Sequence, residues 1–142
     1  DPRTGQKGWS FIERAYNFDS AAGIDYTVDV TKPFGSRIVI TSMADGKPFS
    51  MDETYNVAMT SYRASGGGGL LAEVGIDTDK IAERTVEYYP EIREILYEYL
   101  KKNRVIDPAV IGDPAKIGHW SFVPENIAGP AIERDINLIF KK

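Results

Sequence analysis

Ser61-Tyr62-Arg63-Ala64-Ser65 runs directly into four glycines, Gly66, Gly67, Gly68 and Gly69, and no other stretch of the chain is better suited to recognition chemistry. Four missing Cβ atoms let the backbone take positive φ and come unusually close to another surface. Tyr62 places an aromatic face at the entrance and Arg63 a cation beside it. The combination suits an aromatic ligand lying flat, with backbone N–H groups bonding its edge. A plain turn needs far less glycine, although the same composition would also serve a flexible linker.

Two more rings stand near a strand end: Tyr16 and Phe18 precede Gly23, much as Tyr62 precedes Gly66. Two such rings facing one another about 7 Å apart would hold a planar base, each face adding on the order of 1–3 kcal/mol. Any single Phe or Tyr is by default a core residue. Tyr62 departs from that default because the glycine loop leaves its face uncovered.

Other chemistries fail on their residues. No Gly-Lys-Ser/Thr follows the glycines, and they do not lie inside a βαβ unit, so neither a phosphate loop nor a dinucleotide fingerprint is present. The chain has one histidine, His119, with no metal-binding spacing around it. Beside Trp120 it reads as a packing or hydrogen-bonding residue. No Gly-x-Ser-x-Gly elbow supports a serine hydrolase, and cysteine is absent, which removes thiolate metal sites, a thiol nucleophile and disulfides. Asp25 and Asp29 share one strand face, which reads as solvated.

The elements that must position these residues follow from periodicity. Gly23 to Val30 alternates, with Ile24, Tyr26, Val28 and Val30 on one face, and predicts a half-buried strand. Lys32-Pro33-Phe34-Gly35 turns into a second strand, Arg37 to Ser42, and Ala44-Asp45-Gly46-Lys47 makes another turn. A third strand is expected over Thr54 to Tyr62, delivering the glycines from a largely antiparallel meander. Trp9 to Phe18 reads as a short helix or ordered loop and Leu70 to Val74 as a helical turn; in Lys80 to Tyr88 the residues Ile81, Thr85 and Val86 fit either period, and a strand is preferred over a helix. After Pro90, the residues Ile92, Ile95, Leu96, Tyr99 and Leu100 form an apolar helical stripe that Asn103 ends. Asp107 to Gly118 is a Pro/Gly-rich connection, Trp120 to Val123 a short strand, and Pro130 to Lys142 a last strand or helix. The fold class expected is α+β, a mostly antiparallel mixed sheet covered by helices.

At 142 residues the chain is of single-domain size, and its net charge of −4 disfavours a nucleic-acid polymer as partner. No apolar run approaches membrane-spanning length and no signal peptide is visible. A start at Asp1 without Met reads as an excised fragment or processed product.

Tyr16-Asn17-Phe18-Asp19, Ala22-Gly23-Ile24-Asp25-Tyr26-Thr27-Val28-Asp29, Lys32-Pro33-Phe34-Gly35-Ser36-Arg37-Ile38 and Tyr55-Asn56-Val57-Ala58-Met59 leading to the glycines occur in an order and spacing covering roughly residues 9–125. The set resembles the C-terminal domain of the 5′-nucleotidase / 2′,3′-cyclic-nucleotide 2′-phosphodiesterase–3′-nucleotidase family. Trp120-Ser121-Phe122-Val123-Pro124 is similar to the end of that domain.

The resemblance implies an α+β domain that stacks a nucleoside base between two rings, Phe18 and Tyr62. It assigns Arg63 and Gly66, Gly67, Gly68 and Gly69 to the same substrate site. It further implies that residues 1–142 are a single, N-terminally truncated nucleoside-binding domain. The parent hydrolase would hold two divalent metal ions and its catalytic residues in an N-terminal metallophosphoesterase domain absent from this chain. No catalytic residue, metal or cofactor is therefore expected here, and the fragment alone is expected to be inactive. Its partners would be a nucleotide or nucleoside and the parent's own N-terminal domain, with neither nucleic-acid polymer nor membrane. The parent would be periplasmic or in the cell envelope. Gly68 stands where the 5′-nucleotidase branch usually carries Asp, so the cyclic-phosphodiesterase/3′-nucleotidase branch is favoured. A 5′-nucleotidase or UDP-sugar hydrolase parent, and a non-catalytic binding module, are the alternatives.

Overall fold

Alternation of branched and polar residues from Ile24 builds the first strand, β1 (Ile24–Asp29), with Tyr26 buried at its centre. The computed structural model describes residues 8, 9, 11, 12, 15–105, 107 and 118–140. β1 pairs antiparallel with β2 (Ile38–Met43), in a register interrupted by a bulge at Asp25/Tyr26. The connection is tied down locally. Asp29 Oδ1 accepts from the Thr31 N–H (2.9 Å) and hydroxyl (2.6 Å), and the Asp29 N–H donates to Arg37 O at 2.7 Å.

β3 (Trp120–Val123) completes the sheet on the other side of β1, giving the order β2-β1-β3. It runs parallel to β1, with Tyr26 opposite Trp120 and Val28 opposite Phe122. The sheet is thus mixed and the fold class α+β, as expected. The three-stranded meander is not formed. Among the described residues, 54–60 form no strand ladder, and the chain turns helical at Ser61.

The remaining helices are α1 (Ser61–Ala64), α2 (Leu70–Glu73), α3 (Ile81–Arg84), α4 (Ile92–Asn103) and α5 (Glu125–Phe140). Short 3₁₀ turns occupy Ala15–Asn17, Gly67–Gly69 and Thr78–Lys80. The strand expected over Lys80 to Tyr88 is corrected to α3 followed by irregular chain. Asp77 caps the preceding 3₁₀ turn by accepting from the Asp79 N–H, and this local bond starts a helical turn where the apolar spacing was ambiguous. The tail is helical from Glu125, earlier than expected; Ala128 is buried and the helix lies beside β3.

Helix α4 forms where its periodicity places it, but Ile92, Ile95, Leu96, Tyr99 and Leu100 remain between 42% and 59% exposed. A 3.6-residue period records which face is apolar and carries no information on what covers it. The Pro/Gly-rich connection, apart from Asp107 and Gly118, lies outside the described residues, as do Ser10, Glu13 and Arg14 in the aromatic N-terminal segment. Among the described residues no helix is long and apolar enough to cross a membrane.

The described residues divide into two compact units: one drawn from 1–53 and 117–142, which holds the sheet and α5, the other from 54–116, which holds α1 to α4.

Candidate functional site

The second unit contains the glycine loop. Thr60, in extended conformation, caps α1 by accepting from the Arg63 N–H at 3.4 Å. The Ser65 hydroxyl donates back to Ser61 O (2.8 Å) and Tyr62 O (3.2 Å), which closes the short helix before the glycines begin. The chain then reverses through left-handed backbone at Gly66 (φ 92°), Gly68 (φ 76°) and Gly69 (φ 72°). A side chain at these positions costs roughly 1–2 kcal/mol each, which is why glycine fills them. The Gly66 N–H donates to Arg63 O and the Gly69 N–H to Gly66 O, both at 3.0 Å. The loop is therefore an ordered turn and not a linker, and two of its N–H groups are engaged within it.

Gly67 serves a different purpose. A Cβ there would lie 2.5 Å from Cε2 and Cζ of the Tyr62 ring and from Tyr62 O. The glycine backbone thus lies directly against the ring. The Arg63 guanidinium completes the arrangement. Its Nη1 donates to Gly67 O at 2.9 Å, and its Cζ stands 5.3 Å from the Tyr62 ring centroid. Tyr62 nevertheless keeps 51% of its surface exposed. Tyr62, Arg63 and Gly66 to Gly69 are brought together in one structure.

Phe18 belongs to the first unit, just after the 3₁₀ turn Ala15–Asn17. Its ring leans on Trp120 at 6.0 Å between centroids, tilted by 46°, and it is 66% exposed. Trp120 in turn stacks on Tyr26 (5.9 Å, 10°) and meets Phe122 edge-on (5.0 Å, 85°). Parallel pairing of β1 and β3 puts Tyr26 and Trp120 side by side, so a ring at the surface is anchored to the core. Trp120 is the residue that sequence reasoning missed: its contact with Phe18 depends on a strand pairing across some ninety residues, which no local pattern announces. Among the described residues its indole Nε1 is buried without a hydrogen-bond partner.

His119 hydrogen-bonds through Nδ1 to Asp25 Oδ1 (3.2 Å), and Asp25 Oδ2 accepts from the Ser42 hydroxyl (3.1 Å). The carboxylate sits in the middle of this row. A hydrolytic relay needs imidazole between hydroxyl and carboxylate, so the group fastens three neighbouring segments of the sheet and activates no nucleophile. Asp25, read from sequence as merely solvated, therefore has a structural role. Among the described residues no group of three or more His, Asp or Glu side chains is placed to hold a metal ion.

Comparison with known proteins agrees with these motifs. The family profile described as 5′-nucleotidase, C-terminal domain, matches residues 4–74. The chain is 31% identical over 140 residues to the trifunctional nucleotide phosphoesterase protein YfkN of Bacillus subtilis (strain 168), an alignment covering 90% of this chain and 8% of that protein. It is 30% identical over 143 residues to the 2′,3′-cyclic-nucleotide 2′-phosphodiesterase/3′-nucleotidase of Haemophilus influenzae (strain ATCC 51907 / DSM 11121 / KW20 / Rd), covering 87% of this chain and 20% of that protein. The chain thus spans a fifth or less of the length of these relatives. No solved structure matches it. With the matched segment taking in Phe18, β1, β2 and the whole glycine loop, the chain belongs to the 5′-nucleotidase C-terminal domain family.

Proposed function

We propose that this chain is the nucleoside-recognition part of a metal-dependent nucleotide hydrolase of the 2′,3′-cyclic-nucleotide 2′-phosphodiesterase/3′-nucleotidase type, with Phe18 and Tyr62 as the stacking rings. The observation that carries the reading is the state of Tyr62: half-exposed, yet seated on an ordered glycine turn that leaves no room for a Cβ at Gly67. A ring that is both bare and held still loses little entropy when a base stacks on it. Phe18, exposed and supported by Trp120, has the same character.

In this reading the chemistry belongs to a metallophosphoesterase domain elsewhere in a two-domain parent, whose metals would activate water and stabilise charge on the phosphoryl group. The residues of this chain bind and orient. Stacking fixes the base, and a fixed base limits where the phosphate can reach, an effect of positioning. Residues 1–142 then form one recognition domain that hydrolyses nothing by itself, and the parent works in the periplasm or cell envelope. Gly68 in place of an acidic residue supports the 3′-nucleotidase branch over the 5′-nucleotidase one.

The test is an NMR titration with adenosine, adenosine 3′-monophosphate and 2′,3′-cyclic adenosine monophosphate. Phe18→Ala and Tyr62→Ala should each weaken binding by about 1–3 kcal/mol, the worth of one stacked base. Unchanged shifts and affinities in both variants would show that these rings are not the base site.

A further inference from the structure

Arg63 sits beside the proposed base site, where a cation is naturally read as a ligand for phosphate. Its contacts point elsewhere. Nη1 donates to Gly67 O at 2.9 Å, and Cζ lies 5.3 Å from the Tyr62 centroid. Gly67 is also the residue whose backbone touches that ring, since an added Cβ would fall 2.5 Å from Cε2 and Cζ. The guanidinium therefore holds the very residue that lies against the Tyr62 ring. A planar guanidinium can do both tasks at once, giving an N–H to a carbonyl while its charge is attracted to the ring. Arg63 is half-buried, as is Gly67, whereas Tyr62 keeps its 51% exposure.

We infer that Arg63 is a positioning residue and not a phosphate ligand: it fastens Gly67 against the Tyr62 ring and so holds that half-exposed ring in place for the base. This rests on the base-stacking reading of Tyr62. On this inference Arg63 acts on the base site through Tyr62 and Gly67, so its effect there is the same whether or not the ligand carries phosphate. Side chains that touch a ligand gain precision when their own rotamers are locked by such neighbours.

The experiment compares wild type, Arg63→Ala, Arg63→Lys and Tyr62→Ala by titration with adenosine and with adenosine 3′-monophosphate, alongside ligand-free NMR of the Gly67 α-protons. Arg63→Ala should weaken both ligands by the same factor, on the order of 3- to 10-fold. Lys, a point charge without the planar fork, should restore neither ligand fully and neither one preferentially. In the ligand-free wild type the Gly67 α-protons should show a ring-current shift that relaxes towards random-coil values in Arg63→Ala. Loss of affinity for the nucleotide alone, with rescue by Lys, would make Arg63 a phosphate ligand and overturn the inference. So would unchanged affinity for both ligands, or random-coil Gly67 shifts in the wild type. If Tyr62→Ala leaves adenosine affinity intact, the base-stacking reading itself falls, and the Gly67 shifts still report separately on whether Arg63 holds the loop.

Discussion

Replacing Gly67 by alanine is the sharpest perturbation of this loop. The added methyl would meet Cε2 and Cζ of Tyr62 and the Tyr62 carbonyl oxygen at 2.5 Å, about an ångström inside ordinary contact. The ring could swing away. The carbonyl cannot do so without moving α1, whose Ser65 hydroxyl also bonds it at 3.2 Å. Overpacking of this kind costs roughly 1–3 kcal/mol, equivalent to about 5- to 150-fold in a local opening equilibrium. Gly69→Ala supplies the contrast. Its Cβ would meet nothing within 4 Å, but its φ is +72°, so only the left-handed backbone penalises it, by about 1–2 kcal/mol. Gly69→Asn should recover part of that loss, because Asn tolerates the left-handed region. It should do nothing of the kind at Gly67. Native-state hydrogen exchange at the Gly66 and Gly69 amides, which donate to Arg63 O and Gly66 O, reads the local stability directly. Both alanine variants should speed exchange, and only Gly67→Ala should also disturb the Tyr62 ring resonances. If Gly67→Ala exchanges like wild type with its Tyr62 signals in place, the close packing of ring on glycine is wrong.

Two further perturbations probe the sheet unit. Trp120→Ala removes the ring that joins Phe18 to Tyr26 and Phe122, and should cost about 3 kcal/mol, the lower end for large aromatics because Trp120 is only half-buried. Near-UV circular dichroism and urea unfolding measure it, and a loss below about 1 kcal/mol would mean the cluster contributes little. The Asp29 carboxyl is held below its ordinary value, near 3.8, chiefly by the Thr31 hydroxyl and then by the Thr31 N–H. A lowered value in the folded state means this carboxylate supports the fold above the ordinary range and ceases to do so as pH falls through its own titration. Thr31→Val deletes the hydroxyl and should move the Asp29 carbon titration upward towards 3.8; an unmoved titration would deny the 2.6 Å bond its role.

Much of this protein was legible in its residues. Alternation from Ile24 to Val30 and the turn residues around Pro33 and Gly46 determined a hairpin, because strand faces and turn geometry are encoded over a few neighbours. The apolar stripe from Ile92 to Leu100 determined α4 for the same reason. The glycine run determined that the backbone near Tyr62 would reach conformations closed to other residues, and the spacing of the motifs around it was enough to identify the family.

Tertiary structure decided what local pattern could not. Residues 54–60 carry strand-like residues, but a strand exists only where backbone groups pair in a ladder; among the described residues, 54–60 form none, while Trp120–Val123 from far along the chain pairs with β1. That pairing alone sets Trp120 under Phe18. The role of Gly67 likewise lay hidden among four identical letters: three of these glycines are required by φ, and this one by the ring that lies against it. Conformation is written along the chain, whereas contact depends on what folding brings alongside.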